Sequence, residues 1–280
     1  MSSNVTKAVI PVAGLGTRFL PFTKSVPKAL LPILDTPVIE FIVKEAIEAG
    51  LHDITLVISP GQSQVEEYFE PSPYLEQQLR ERKREDLLKK IYPFHKHANV
   101  VAVKQAEPLG LAHALLMAEE QVKNEPFVVL LGDDLFFGSP SPSKQLIEAF
   151  KTSKKSIIAL KEVSKEEVVH YGIVDIIKSN NLIHQIKNIV EKPKESEAPT
   201  TLAIPGRYIF TPDIFAYIKR LKEKRNAEYP LTDALLQMAK DSNLFAVEVS
   251  ATRFDVGQVP GYLQATLSLA RERRLFPKNV

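Results

Sequence analysis

The chain has 280 residues, 44% hydrophobic and 25% charged, a composition that suits a globular protein with a large buried core. Its 36 Lys and Arg against 34 Asp and Glu leave a net charge of +2, which makes no electrostatic case for nucleic acid or an anionic membrane as a partner. Cysteine is absent, which excludes disulfides, thiolate metal sites and cysteine nucleophiles.

In chain order, the first element is Lys7-Ala8-Val9-Ile10-Pro11-Val12, an apolar run that predicts a short buried strand. Ala13-Gly14-Leu15-Gly16-Thr17-Arg18 follows it. Two glycines at a strand's end let the backbone approach a ligand closely, and successive N–H groups there form an anion-binding concavity. Arg18 and Lys28 add fixed positive charge, so the set suits a triphosphate or pyrophosphate. A dinucleotide fingerprint would need a small residue where Phe19 stands, and a P-loop would need Lys-Ser/Thr where the chain has Thr17-Arg18. Gly14-Leu15-Gly16 by itself reads equally well as a bland strand-to-helix turn.

Thr36-Pro37 predicts an N-cap and first helical residue, and Gly50 the stop, with Val38, Phe41, Ile42, Ala46 and Ala49 on the buried face. Asp53 to Ser59 predicts a second strand, and this rhythm argues for a largely parallel sheet with helices packed on it. Glu76 to Lys90, with six basic and four acidic residues, reads as a solvated helix. His95 and His97 lack a third ligand nearby and read as loop residues. Asn99 to Gln105 predicts a third strand, after which Gly110 opens an apolar helix. The amide of Gln105 offers a donor and an acceptor together, which suits a uracil edge.

Phe127 to Leu131 is the most apolar strand and is expected near the sheet's centre. It delivers Gly132-Asp133-Asp134, and carboxylates at that end suit Mg²⁺ as hard oxygen ligands. Adjacent residues point to opposite sides of a strand, so one of the two aspartates at most is a direct ligand unless a turn intervenes. Lys154–Val163, Gly172–Ile177, Leu182–Lys192 and Thr201–Phe210 predict further strands, and Leu231, Leu235 and Met238 a buried helical face. On the last helix, Tyr262 to Arg274, Leu263, Thr266, Leu267 and Ala270 fall on one side. Met1-Ser2-Ser3-Asn4 lacks signal-peptide character, and no apolar run reaches the roughly 18 residues of a membrane span, so a cytoplasmic protein is expected.

The longer string Gly14-x-Gly16-Thr17-Arg18-x-x-Pro21-x-Thr23-Lys24-x-x-Pro27-Lys28-x-x-Leu31-Pro32 resembles the opening of the sugar-phosphate nucleotidylyltransferases. Gly110-Leu111-Ala112-His113-Ala114, the helical insertion within 62–98 and the Thr23-Lys24-x-x-Pro27-Lys28 spacing resemble its uridylyltransferase branch. Tyr171-Gly172-Ile173-Val174, Val190-Glu191-Lys192-Pro193, Gly206-Arg207-Tyr208, the Tyr229–Ala234 string and Arg253-Phe254-Asp255-Val256-Gly257 extend the likeness to about residue 265. Ala29 departs from it, since that branch usually continues Pro-Lys with Glu.

The resemblance implies an α/β fold with a Rossmann-like, mixed, mainly parallel sheet flanked by helices and a smaller sugar-binding sheet extension. One domain over 5–270 is expected, with a nucleotide lobe to about 140, a sugar-phosphate lobe to about 257 and a terminal helix and tail beyond. The implied reaction is UTP plus α-D-glucose 1-phosphate giving UDP-glucose and pyrophosphate. Arg18, Lys28 and Asp133 would be catalytic; Ala13, Gly14, Gly16, Thr17, Gln105 and Gly110 would bind the nucleotide. Gly172, Glu191 and Lys192 would hold the sugar phosphate, and Asp133 and Asp255 would hold Mg²⁺. A homodimer or homotetramer is expected. The readings set against this are a thymidylyltransferase using dTTP or another sugar-1-phosphate nucleotidylyltransferase, a silent nucleotide-sugar sensor, and a Rossmann oxidoreductase.

Overall fold

The computed structural model describes residues 5–91, 94–177, 182–222 and 230–275, and a ten-stranded sheet runs through it. Its strands are β1 (Lys7–Pro11), β2 (Asp53–Ile58), β3 (Asn99–Lys104), β4 (Phe127–Leu130), β5 (Ser156–Glu162), β6 (Gly172–Ile177), β7 (His184–Glu191), β8 (Leu202–Ala203), β9 (Arg207–Phe210) and β10 (Leu244–Glu248). Across the sheet they lie in the order β8-β6-β7-β10-β5-β9-β4-β1-β2-β3. The four apolar strands of the first half pair in parallel, with Lys7 opposite both Asp53 and Phe127. β4 is buried throughout and sits between β1 and β9, near the centre as expected.

Antiparallel β9, with Arg207 opposite Leu130, joins the second half directly onto β4. Beyond it the pairing is antiparallel apart from the parallel β5–β10 pair. The fold is thus mixed α/β, and its parallel part carries the first set of motifs. Parallel strands end on one edge, so the segments after β1, β3 and β4 emerge together there. The turn at Gly206 (φ +69°) splits the expected 201–210 strand into β8 and β9, and its carbonyl accepts from the Leu131 N–H at 2.9 Å.

The helix Val38–Glu48 buries Ile39, Ile42, Val43 and Ala46 and ends at Gly50 as expected. Gly50 N–H bonds to Ile47 O and Leu51 N–H to Ala46 O, a left-handed cap. Its start is one residue later than predicted. Thr36 and Pro37 pair with Ile33 and Pro32 in a small ribbon, so Pro37, not Thr36, takes the cap position. The charged 76–90 run is likewise not one helix, because Lys83 (φ +55°) separates Pro73–Glu81 from Glu85–Leu88.

Leu231, Leu235 and Met238 are buried on the helix Leu231–Lys240 as predicted, while Tyr229 lies outside the described residues. The last helix, Val259–Glu272, buries Ala265, Leu269 and Ala270 and turns Leu263 and Leu267 outward, so of the four residues grouped on one side Ala270 faces the body while the two leucines face out, a choice the sequence left open. Tyr262 sets that rotation: its hydroxyl donates to Pro32 O at 2.6 Å and its ring meets Phe19 edge-on. Among the described residues no helix is long and apolar enough to cross a membrane.

Candidate active site

The glycine loop is held from below. Gly16 has φ +65°, and a Cβ there would approach Lys28 Cβ and Thr23 Cγ2 at 3.1 Å each. The Thr23 hydroxyl donates to Gly16 O at 2.8 Å, so residues 13–18 fold back onto 23–28 and bring Lys28 beneath the loop. The Ser59 hydroxyl, just past β2, donates to Ala13 O. Gly14 differs from the other glycines: its φ is not positive and a Cβ would meet nothing within 4 Å. Neither backbone conformation nor packing asks for glycine at that exposed position, which leaves close approach from outside as the physical reason.

Ala13, Gly14, Lys28, Gln105, Gly110 and Asp133 line one cavity of about 340 Å³ at the strand ends. Two larger hollows, of about 790 and 1020 Å³, lie elsewhere and include none of these motif residues. Gln105 is anchored by its N–H to Ile58 O at 2.8 Å, and its side chain is buried against the start of the Gly110–Met117 helix. Ala29 is buried and also touches this cavity.

Lys28 Nζ donates to Asp133 Oδ2 at 2.6 Å. Burial would raise the Asp133 carboxyl, but the charges of Lys28, Arg253 and Arg18 outweigh it and hold the group below the usual carboxylate range. Gly132 and Asp133 form a turn between β4 and the ribbon strand Asp134–Phe137, and Asp134 takes different partners from Asp133. It is buried and paired with Arg253, and Arg207 Nη2 donates to its carbonyl at 2.8 Å. Burial pushes the Asp134 carboxyl upward, helped by the carboxylates of Asp133 and Asp255 and opposed by Arg253.

Asp255 reaches this point through register. Thr252–Asp255 pairs antiparallel with Asp134–Phe137, setting Asp255 opposite Asp134. A Cβ built at Gly257 would lie 2.8 Å from Asp133 Oδ2 and 3.0 Å from Asp255 Oδ1, so both carboxylates border that one spot and only glycine leaves it open. Asp255 accepts from Tyr171 OH at 3.0 Å, Gln258 Nε2 at 2.7 Å and Gly257 N at 3.0 Å. Burial pushes the Tyr171 phenol up to about 12, which keeps that hydroxyl a donor. Mg²⁺ is commonly bound by one or two carboxylates, with waters and substrate phosphates completing the shell. Two convergent carboxylates beside a phosphate-type loop fit that donor set. Among the described residues no group of three metal-ligating side chains occurs.

Gly172 and Glu191 stand opposite each other on β6 and β7. A Cβ at Gly172 would meet Thr232 Cγ2 at 3.0 Å and Glu191 Oε2 at 3.4 Å, so the protein's own packing already requires a small residue there. Lys192 takes φ +45°, with its N–H on Tyr171 O at 3.0 Å and its ammonium 3.4 Å from Glu191 Oε1. Such a backbone is uncommon for a residue with a side chain and is tolerated where the surroundings fix it. Tyr171 thus contacts Lys192 through its carbonyl and Asp255 through its hydroxyl. Thr17 and Arg18 are exposed on the loop; Arg18 reaches the centre through its charge on Asp133.

Sequence reasoning passed over three supporting residues. Arg253 stacks over the Tyr171 ring at 4.4 Å while pairing with Asp134, so it joins both aspartate segments. Fully buried Arg207 pairs with Glu45 at 2.8 Å and donates to Asp134 O and Gly206 O, fixing the turn that carries Asp133. An arginine opening the strand β9 in the Gly206-Arg207-Tyr208 string was the available signal. Nothing local marked Glu45 as its partner on a distant helix.

Residues 7–272 match the nucleotidyl transferase family profile. The UTP–glucose-1-phosphate uridylyltransferase of Bacillus subtilis (strain 168) is 41% identical over 96% of this chain and 92% of its own length. Among solved structures, an apo UDP-glucose pyrophosphorylase superposes with TM-score 0.90 at 39% identity, covering 96% of this chain and 100% of that one. A UTP-bound UGPase from Acinetobacter baumannii superposes with TM-score 0.88 at 37% identity, covering 98% and 95%. With likeness of this extent in both sequence and fold, the chain belongs to the nucleotidyl transferase family, alongside the UTP–glucose-1-phosphate uridylyltransferases.

Proposed function

We propose that this chain transfers the uridylyl group of UTP to α-D-glucose 1-phosphate, giving UDP-glucose and pyrophosphate. The observation that carries the reading is the convergence of the Gly14 loop, Lys28, Gln105 and Asp133 on one cavity, with Asp255 brought to Asp133 by strand register. A phosphate oxygen of the sugar phosphate attacks the α-phosphorus in line. That new P–O bond forms as the bond to the bridging oxygen breaks, and pyrophosphate leaves with the electron pair.

Both reactants are anions, so the protein's work is alignment and charge neutralisation. Arg18 and Lys28 neutralise the departing pyrophosphate and the α-phosphate. The backbone from Ala13 to Thr17, including Gly14 and Gly16, cradles the triphosphate, and Gln105 with Gly110 receives the base. Lys192 holds the attacking phosphate, and Glu191 beside Gly172 accepts from sugar hydroxyls. Asp133 and Asp255 would hold Mg²⁺, whose charge offsets that of the α-phosphate and the attacking phosphate. A general base is not needed, since a phosphate monoester is already ionised at neutral pH.

The same reading takes residues 5–270 as one catalytic domain, supported by the continuous sheet. It also includes a cytoplasmic location and a homodimer or homotetramer. The outward Val259, Leu263 and Leu267 stripe supports assembly, which sedimentation would measure. The reaction is tested by ³¹P NMR of the protein with UTP, glucose 1-phosphate and Mg²⁺. Signals of UDP-glucose and pyrophosphate growing together are the expected result. UTP and sugar phosphate left unchanged, with the protein folded, would refute the reading.

A further inference from the structure

Gln105 is 6% exposed, and its side-chain nitrogen has two partners: Gly110 O at 3.1 Å and His113 Nδ1 at 3.0 Å. The carbonyl decides the rest. A peptide carbonyl can only accept, so the atom facing Gly110 must be the amide nitrogen and not its oxygen. His113 Nδ1 then faces an N–H and must be the unprotonated ring nitrogen, which places the imidazole proton on Nε2. Both amide N–H groups are taken by these acceptors. Oε1 accepts no hydrogen bond among the described residues, and it is the atom the amide has left for the cavity that Gln105 lines.

We propose that His113 is a positioning residue that sets base choice: as the Nε2-protonated tautomer it locks the Gln105 amide with its oxygen toward the nucleobase. The inference rests on the uridylyl-transfer reading above and deepens it. Set against ring position 3, that acceptor pairs with the N3–H of uracil or thymine. Cytosine presents an acceptor at N3, so oxygen would face a lone pair and both groups would be left unpaired in a buried site. That penalty is far larger than the loss of a methyl contact. Without His113, one amide N–H is released and the group can turn to offer a donor to cytosine. Selection between two bases of equal size is then a matter of one histidine tautomer.

The tautomer is read in the wild-type protein, without nucleotide, by two-bond ¹H–¹⁵N correlation NMR of the His113 ring. Binding is read by titrating UTP and CTP, without sugar phosphate, into wild type and His113→Phe. The expected results are a proton on Nε2, wild type preferring UTP by about a hundredfold or more, and H113F cutting that preference at least about tenfold. The cut should come mainly from tighter CTP binding, a gain that general loss of structure would not give. In a Gln105→Ala background, His113→Phe should leave the ratio unchanged.

A proton on Nδ1, a wild type indifferent between UTP and CTP, or a folded H113F with the wild-type ratio would each overturn the proposal. If H113F does not fold, the wild-type tautomer and binding ratio still decide it. Intact UTP-over-CTP binding with the expected tautomer but no pyrophosphate release would support His113's role while refuting the transfer reaction.

Discussion

Lys28 Nζ and Asp133 Oδ2 lie 2.6 Å apart although 105 positions separate them in the chain. The pair ties the glycine-loop segment to the end of the central strand and gives each charged group a partner before any ligand arrives. A bound triphosphate would compete for the ammonium and leave the carboxylate for a cation. On the proposed reading, Lys28 and Asp133 would exchange one another for substrate and metal.

Asp133→Asn should retain the fold and lower kcat by about two orders of magnitude or more, as when developing charge loses its counter-ion. It should also weaken Mn²⁺ binding, measured by electron paramagnetic resonance of the nucleotide-bound protein. Near-normal turnover at unchanged metal demand would remove Asp133 from the metal site.

Lys192→Ala should raise the glucose 1-phosphate KM strongly and leave UTP binding within about threefold, less than roughly 1 kcal/mol. Calorimetry and initial rates separate the two effects. Loss of UTP binding with an unchanged sugar-phosphate KM would mean that Lys192 serves the nucleotide instead.

Arg207→Leu should cost about 3–5 kcal/mol in chemical denaturation, because it strands Glu45 without its buried partner. Replacing Glu45 by Leu as well should restore most of the loss. A double variant no more stable than the single one would show that the carbonyl contacts of Arg207, not the ion pair, hold the turn.

Much of this fold was legible because its parallel half obeys local rules. β1, β2, β3 and β4 are apolar runs, and Gly50 ends its helix through a left-handed cap. The motif residues were legible only through the longer strings that carry the family resemblance, since a glycine pair, a cation or a carboxylate at a strand's end also serves plain turns, caps and exposed strand ends. Their partners were not. Asp255 meets Asp133 through a two-stranded ribbon whose register no local pattern encodes, and Arg253 gains its meaning only from Tyr171 and Asp134. Helix rotation was left open by the sequence for a similar reason: Leu263 and Leu267 are as apolar as Leu269, and the distant Pro32 carbonyl under Tyr262 helps set which side is buried.

Uridylyl transfer is tested most directly by the pyrophosphate-release kcat/KM for UTP, CTP, ATP, GTP and dTTP with glucose 1-phosphate. UTP should be the best substrate, dTTP a leaky one because thymine presents the same pairing edge as uracil and differs from it by one methyl group, and ATP and GTP nearly inert. Gln105→Ala should narrow the UTP-over-ATP ratio while leaving the pyrophosphate contacts of Arg18 in place. Wild type favouring ATP, GTP or dTTP over UTP by about tenfold, a difference of about 1.4 kcal/mol, would contradict the uridylyl assignment and turn attention to Ala29 at the cavity wall.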